Sequence, residues 1–282
     1  MSHNVSDHAK RKIGNAFPHL ILIILAAIAL APLLLVLINS VKEHADIVRN
    51  PLALPTTIDL ANYADAWHYG KFSRGFINSI MLSGMTILIV LFCSSLAGYV
   101  LAGKKVRIWP LVLIYFLVAM TIPIQLFLFP LYFIFARLHL LGNLIAMSFV
   151  LAAINLPLAV LLMRTFFLQV PKELEEAAQI DGATTRQILW NIMLPVVSPG
   201  LITVAVIVGL ASWNEFLLTS TFLQGEKNFT ATLGFLSLNG TYNVDQGLMM
   251  AAAVIMIAPI IIFFISIQRY FIDGLVGGSV KG

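Results

Sequence analysis

The chain alternates between long apolar runs and short polar joints. Apolar residues fill about 18–40, 76–103, 109–135, 142–163, 199–221 and 247–267. Each run is near the ~20 residues that a helix needs to cross a bilayer core. A transmembrane β-barrel would instead show ~10-residue segments of alternating polarity. The pattern predicts an all-α polytopic membrane protein with six transmembrane helices filling 18–267. A polar tail, 1–17, precedes them and a second tail, 268–282, follows. The widest joint between the later runs, 164–198, separates the fourth from the fifth. The first run has a second reading, the core of a signal peptide behind Lys10-Arg11-Lys12. Such cores hold ~7–15 apolar residues; this run is longer, which favours an anchor.

Composition agrees. Of 282 residues, 60% are hydrophobic and 11% charged, with a mean hydropathy of +0.94. Soluble domains carry about 25% charged residues, so an ordinary soluble protein is excluded. The charges also set an orientation, because Lys and Arg concentrate in cytoplasmic joints. With the N-terminus inside, Lys42, Arg49, Lys71, Arg74, Arg137 and Lys227 fall outside the cell. The other eleven of the 17 Lys and Arg, among them Lys104, Lys105, Arg107, Arg164, Lys172 and Arg186, fall inside. Both termini and the joint 164–198 are therefore expected in the cytoplasm. The net charge of +4 reflects this asymmetry. No basic run with interleaved aromatics suggests nucleic-acid binding. In the outer joint, Tyr63, Trp67 and Tyr69 suit an interfacial aromatic belt.

The joint 164–198 holds the densest polar chemistry. Pro171 suits the first position of a helix, where its missing N–H costs nothing. Glu173, Glu175 and Glu176 then complement the positive helix end. Ala177 and Ala178 favour helix and let another surface approach. Gly182 tolerates the left-handed geometry that ends a helix. Thr184, three residues before Gln187, makes a possible capping box for a second helix, which Leu194-Pro195 ends or bends. By local pattern alone, a partner-docking element and a helical hairpin lying on the membrane are equally good readings.

Few residues in the apolar runs carry chemistry. Gly98–Lys105 approaches a phosphate-binding loop, but Lys105 stands where a magnesium-binding Ser or Thr is needed, and the context is an apolar run. The six His residues show no i, i+4 pair for zinc, and no Gly-x-Ser-x-Gly elbow is present. The remaining candidates are Gln125, Asn155, Asn214 and Glu215. A carboxylate at membrane depth is costly and faces protein or water. Glu215 thus reads as a pathway-lining residue, or as a hydrated residue at the outer interface beside Trp213. Pro123, Pro130 and Pro157 can bend their helices and free carbonyls, or serve packing alone.

Glu176-Ala177-Ala178, Asp181-Gly182-Ala183 and Ile192-x-Leu194-Pro195 resemble the EAA motif of ABC importer permeases. Asn62-Tyr63, Asn78-Ser79, Ile122-Pro123, Pro130-Leu131 and Trp213-Asn214-Glu215-Phe216 are similar to patterns of the same family, and the C-terminal Gln268-Arg269-Tyr270-Phe271 resembles the end of its carbohydrate-importer branch. The likeness is greatest to the maltose-type second permease subunit. It implies a non-catalytic subunit of a bacterial or archaeal cytoplasmic (inner) membrane importer. It also implies a second permease subunit, two ATP-binding subunits and an extracytoplasmic solute-binding protein as partners. The chain would hold no cofactor, ATP and magnesium being bound by the partner ATPase. Glu175, Glu176, Ala177, Ala178, Asp181, Gly182 and Ala183 would form the coupling helix that docks on that ATPase. Gln125, Asn155, Asn214 and Glu215 remain the candidates for lining the pathway. A secondary transporter or channel without an ATPase is the competing function; it would need ionisable groups beside broken helices at mid-membrane.

Overall fold

A computed structural model of the protein describes the backbone of residues 4–103, 107–241 and 245–276. Lys104 and Lys105, and the C-terminal residues from Gly277 on, lie outside the described residues. Every regular element among the described residues is helical. The chain divides into two compact units, residues 1–69 with 238–257, and residues 70–237 with 258–282.

The first unit contains α1 (Asn4–Asn39), α2 (His44–Arg49) and α3 (Ala61–Tyr69). Residues 18–39 of α1 are long and apolar enough to cross a membrane. Below them the chain folds on a buried lysine. Lys42 is 2% exposed, and its Nζ donates to the carbonyls of Asn50 and Pro51 at 3.5 and 3.4 Å. Asn62 donates its amide to the carbonyls of Ser40 and Lys42, and the Tyr63 hydroxyl pairs with Ser40 Oγ at 2.6 Å. The Asn62-Tyr63 pair therefore ties α3 back to the end of α1.

The second unit is built on α4 (Phe72–Ala102), α5 (Trp109–Ala119), α6 (Leu128–Arg137) and α7 (Leu144–Leu168). Small residues line the contact of α4 with α7. Ser94, Ser95 and Gly98 on one side, and Ser148, Ala152 and Ala159 on the other, are buried. In lipid, close van der Waals approach rather than solvent exclusion holds helices together. Gly98 shows how close: an added Cβ would lie 2.9 Å from Met163 Cβ and 3.0 Å from the Arg164 nitrogen. Asn78-Ser79, near the start of α4, clamps a distant loop. Asn78 donates to the carbonyls of Lys227 and Phe229, and Ser79 Oγ accepts from the Ala231 N–H.

The three prolines act differently. Pro123 sits in the break between α5 and a short 3₁₀ turn, Ile124–Phe127, and the two halves of this run meet at 87°. Pro130 lies in the first turn of α6, where its missing N–H breaks no ladder bond. Pro157 lies inside α7, which stays continuous. Beyond α7 come α8 (Lys172–Ile180), α9 (Thr185–Ile188), α10 (Leu194–Val196) and α11 (Ser198–Trp213). The fifth apolar run, expected as one helix over 199–221, stops at Trp213 and resumes as α12 (Leu217–Phe222); α13 (Ala231–Thr241) follows. The last helix, α14 (Gln246–Val276), carries a membrane-length apolar stretch at its start. Among the described residues four helices are long and apolar enough to span a bilayer, and there are up to six candidate spans if each of two bent pairs, Trp109–Ala119 with Ile124–Arg137 and Thr185–Val196 with Ser198–Trp213, is one.

Candidate functional site

The polar joint folds as a helix, a tight turn and a second helix. Pro171 has extended ψ and stands one position before the first helical residue of α8, not at it as the sequence suggests. Glu173 and Glu175 occupy the first turn, beside the unpaired N–H groups and the positive end of the dipole. The helix closes with Asp181, Gly182 and Ala183 donating their N–H groups to Ala177, Gln179 and Ala178. Gly182 has φ +81°, the left-handed region that a side chain disfavours. The capping box follows as read from the sequence. The Thr184 N–H donates to Gln187 Oε1 at 2.8 Å, and the Gln187 N–H to Thr184 Oγ1 at 3.4 Å.

A widened helical turn, Leu189–Met193, joins α9 to α10. Pro195 has no N–H for the carbonyl four residues earlier, and its ring crowds that carbonyl. The wide turn lies directly before it, and a 75° bend into α11 directly after.

One face of this assembly is fastened to the spans. Ala178, Ile188, Leu189, Met193 and Val197 are buried in a single apolar cluster. The cluster continues through Tyr99 of α4, Met163 and Phe167 of α7, and Val204 and Val208 of α11. Glu175 belongs to the same fastening: its Oε1 accepts a 2.9 Å hydrogen bond from the Tyr99 hydroxyl. Among the seven residues expected to dock, Ala178 points inward, Glu175 is braced and Ala183 is half-buried. Glu176, Ala177, Asp181 and Gly182 are exposed. Sequence reasoning missed Ile180, which is 86% exposed at the end of α8. Its signal was available: an isoleucine two residues from Ala178 in a helix cannot share its inward face.

The four polar candidates of the spans separate. Asn155 is half-buried and donates to the Leu151 carbonyl of its own helix. It lines a groove of about 680 Å³ with Tyr115, Ile124, Phe127, Phe149 and Pro157. The groove's lining comes from both sides of the break at Pro123 and from α7. Gln125 is exposed in the 3₁₀ turn. Asn214 is exposed and donates to the Leu210 carbonyl. Glu215 uses both carboxylate oxygens on the next helix, accepting from the N–H groups of Leu218 at 2.7 Å and Thr219 at 2.8 Å. It therefore caps α12 at the helix end that favours negative charge. These bonds are local, and none joins one candidate to another. Among the described residues no group of three or more His, Cys, Asp or Glu could hold a metal ion.

Comparison with known proteins places this arrangement. Residues 94–276 match the family described as "Binding-protein-dependent transport system inner membrane component". The arabinooligosaccharides transport system permease protein AraQ of Halalkalibacterium halodurans is 35% identical over 92% of this chain and 93% of its own length. The probable ABC transporter permease protein YurM of Bacillus subtilis is 32% identical over 99% of this chain and 93% of its own. The probable starch degradation products transport system permease protein AmyC of Thermoanaerobacterium thermosulfurigenes is 32% identical over 92% and 94%. In structure, the chain matches a component of a bacterial ABC transporter that imports the acidic polysaccharide alginate, with TM-score 0.80, 23% identity, and 93% and 98% coverage. That last likeness carries the fold, while the matched family and these relatives carry the lineage. The chain belongs to the inner-membrane components of binding-protein-dependent transport systems and is an ABC transporter permease.

Proposed function

We propose that this chain is one of two permease subunits of a sugar importer, spanning the cytoplasmic membrane six times with both termini inside. Its solute arrives from an extracytoplasmic binding protein. Two ATP-binding subunits in the cytoplasm bind ATP and magnesium and hydrolyse the nucleotide; the chain itself does no covalent chemistry. The sugar class rests on relatives named for arabinooligosaccharides, starch degradation products, and melibiose, raffinose and stachyose.

The carrying observation is the continuous apolar cluster from Ala178 to Val208. Close-packed interiors transmit displacement instead of absorbing it. A push on the exposed face of α8 would therefore move α4, α7 and α11 together. Glu176, Ala177, Ile180, Asp181 and Gly182 form the face offered to the ATPase, while Glu175 and Ala178 hold that face to the spans. Alternating access then exposes the Asn155 groove to one side of the membrane at a time. The hydroxyls of a sugar suit the Asn155 amide, and its apolar ring faces suit Tyr115 and Phe149.

Purification of the chain with its neighbours and reconstitution into vesicles tests this. ATPase subunits should copurify in fixed ratio, and sugar uptake should require ATP and the binding protein. Uptake driven by an ion gradient, with no ATPase bound, would overturn the proposal in favour of a secondary transporter.

A further inference from the structure

Within α8 the one fully buried residue is Ala178. The N-terminal half of the helix has less to hold it. Lys172, Glu173 and Leu174 are exposed, and the half-buried Glu175 is the residue there that turns inward. Glu175 and Ala178 lie three positions apart and share one face of the helix. A helix seated on Ala178 alone can pivot about that methyl group, because apolar contact has no direction. A hydrogen bond does have direction, and the bond at Glu175 fixes a second point on the same face.

The partner at that second point is firmly held. Tyr99 is 6% exposed, and its ring meets Phe167 of α7 edge-on, with centroids 5.6 Å apart. Its neighbour Gly98 brings α4 against the α7 backbone with no room for a Cβ. The Tyr99 hydroxyl donates to Glu175 Oε1 at 2.9 Å, and Gln179, one turn along α8, points its Nε2 at the same oxygen at 3.4 Å. Beside this pair lies open space. A cavity of about 280 Å³ is lined by Tyr99, Ala102, Phe167, Glu175, Gln179 and Met193 among others. Atoms beside a void have no contacts on that side, so packing does not oppose a movement of α8 into it.

We propose that Tyr99 is a positioning residue for coupling: its bond to Glu175 stops α8 from yielding into this cavity when the ATPase pushes on it. With the bond in place, the push reaches α4 and α7. Without it, the first part of the stroke closes the cavity and is lost. The exposed face of α8, made by other side chains, still binds the ATPase. ATP is then hydrolysed with less solute moved. This inference rests on the docking reading of α8 given above. It adds a residue of another element, one too buried to meet the ATPase itself, on which the yield of each stroke depends.

The test uses the assembled transporter in vesicles with its binding protein, and reads sugar taken up per ATP hydrolysed. Tyr99→Phe keeps the ring on Phe167 and removes only the hydroxyl. It should lower that ratio by roughly a factor of five, the shift that one lost hydrogen bond makes in a two-state balance, with ATPase affinity unchanged. Glu175→Gln keeps an acceptor for Tyr99 and should recover most of the ratio that Glu175→Ala loses. Tyr99→Phe and Glu175→Ala combined should lose no more than either alone, as partners in one bond do. Ala102→Phe, which fills the cavity from α4, should raise the ratio again in the Tyr99→Phe background. In a complex whose uptake requires ATP, a wild-type ratio in Tyr99→Phe overturns this inference alone, even with a lower melting temperature. Additive losses do the same, as does a fall in ATPase affinity on Ala102→Phe by itself, which would give the cavity to the ATPase. Uptake by the wild type without any ATPase removes the docking reading and this inference with it.

Discussion

At the scale of single residues, Gly182 and Glu215 show how position decides role. Gly182 has φ +81° and open space around the site of a Cβ. A side chain there meets no obstacle, so the cost is conformational alone. Gly182→Ala should destabilise the turn by about 1 kcal/mol, the penalty of left-handed backbone for an L-residue. Uptake should stay close to wild type. Gly182→Pro cannot adopt positive φ and also loses the N–H bonded to the Gln179 carbonyl. It should leave the ATPase unbound or hydrolysing ATP without transport, read as uptake against phosphate release in vesicles. Glu215 reads in sequence either as a pathway-lining carboxylate or as a hydrated residue at the outer interface. The structure spends both of its oxygens on the first turn of α12. Glu215→Ala should cost about 0.5–2 kcal/mol, as lost helix caps do, seen as a lower melting temperature of the purified complex. Glu215→Gln keeps one acceptor and should recover much of that loss. Equal melting of all three proteins, with uptake lost in both variants, would return Glu215 to the pathway.

At the scale of elements, α8 has two faces with separable duties. Ala178 and Glu175 fasten it inward, to the apolar cluster and to Tyr99. Ile180 stands outward with almost no contact. Burying an isoleucine against a partner stabilises by about 2 kcal/mol. Ile180→Ala should therefore weaken ATPase binding about thirtyfold, measured by titrating the ATPase onto the permease pair in detergent. Ala178→Leu overpacks the cluster, at about 1–3 kcal/mol. It should leave binding intact and reduce transport per ATP. Much of this element was legible beforehand. Turn glycine, capping box and proline bend follow from local backbone chemistry, which a sequence states directly. The inward brace of Glu175 was not, because its partner Tyr99 is 76 residues away and only packing brings them together. The split at Pro123 was foreseeable only as a kink, since an isolated proline does not reveal whether its helix bends, breaks or, like Pro157, carries on.

At the scale of the whole molecule, the reading turns on which side of the membrane each joint occupies. The apolar runs give the number of candidate crossings but no direction; the third is bent, and the fifth reaches membrane length only together with residues 185–196 of the polar joint. Direction rests on the Lys and Arg asymmetry, a weak bias per residue that gains force by summation. The orientation proposed on it would put the exposed face of α8 in the cytoplasm and the loop around Leu52 outside. Single cysteines check this. Cys93, in the middle of α4, is replaced by Ala to clear the background. Ile180→Cys, at an 86% exposed position, then reports one side, and Leu52→Cys, at a 71% exposed position, the other. A membrane-impermeant maleimide should label Leu52→Cys in intact cells and Ile180→Cys only in inverted vesicles. ATPase added to inverted vesicles should shield Ile180→Cys and leave Glu173→Cys, near the braced start of α8, more reactive by comparison. The reverse sidedness would put α8 beyond the reach of any cytoplasmic ATPase, and the coupling proposal would fall with it.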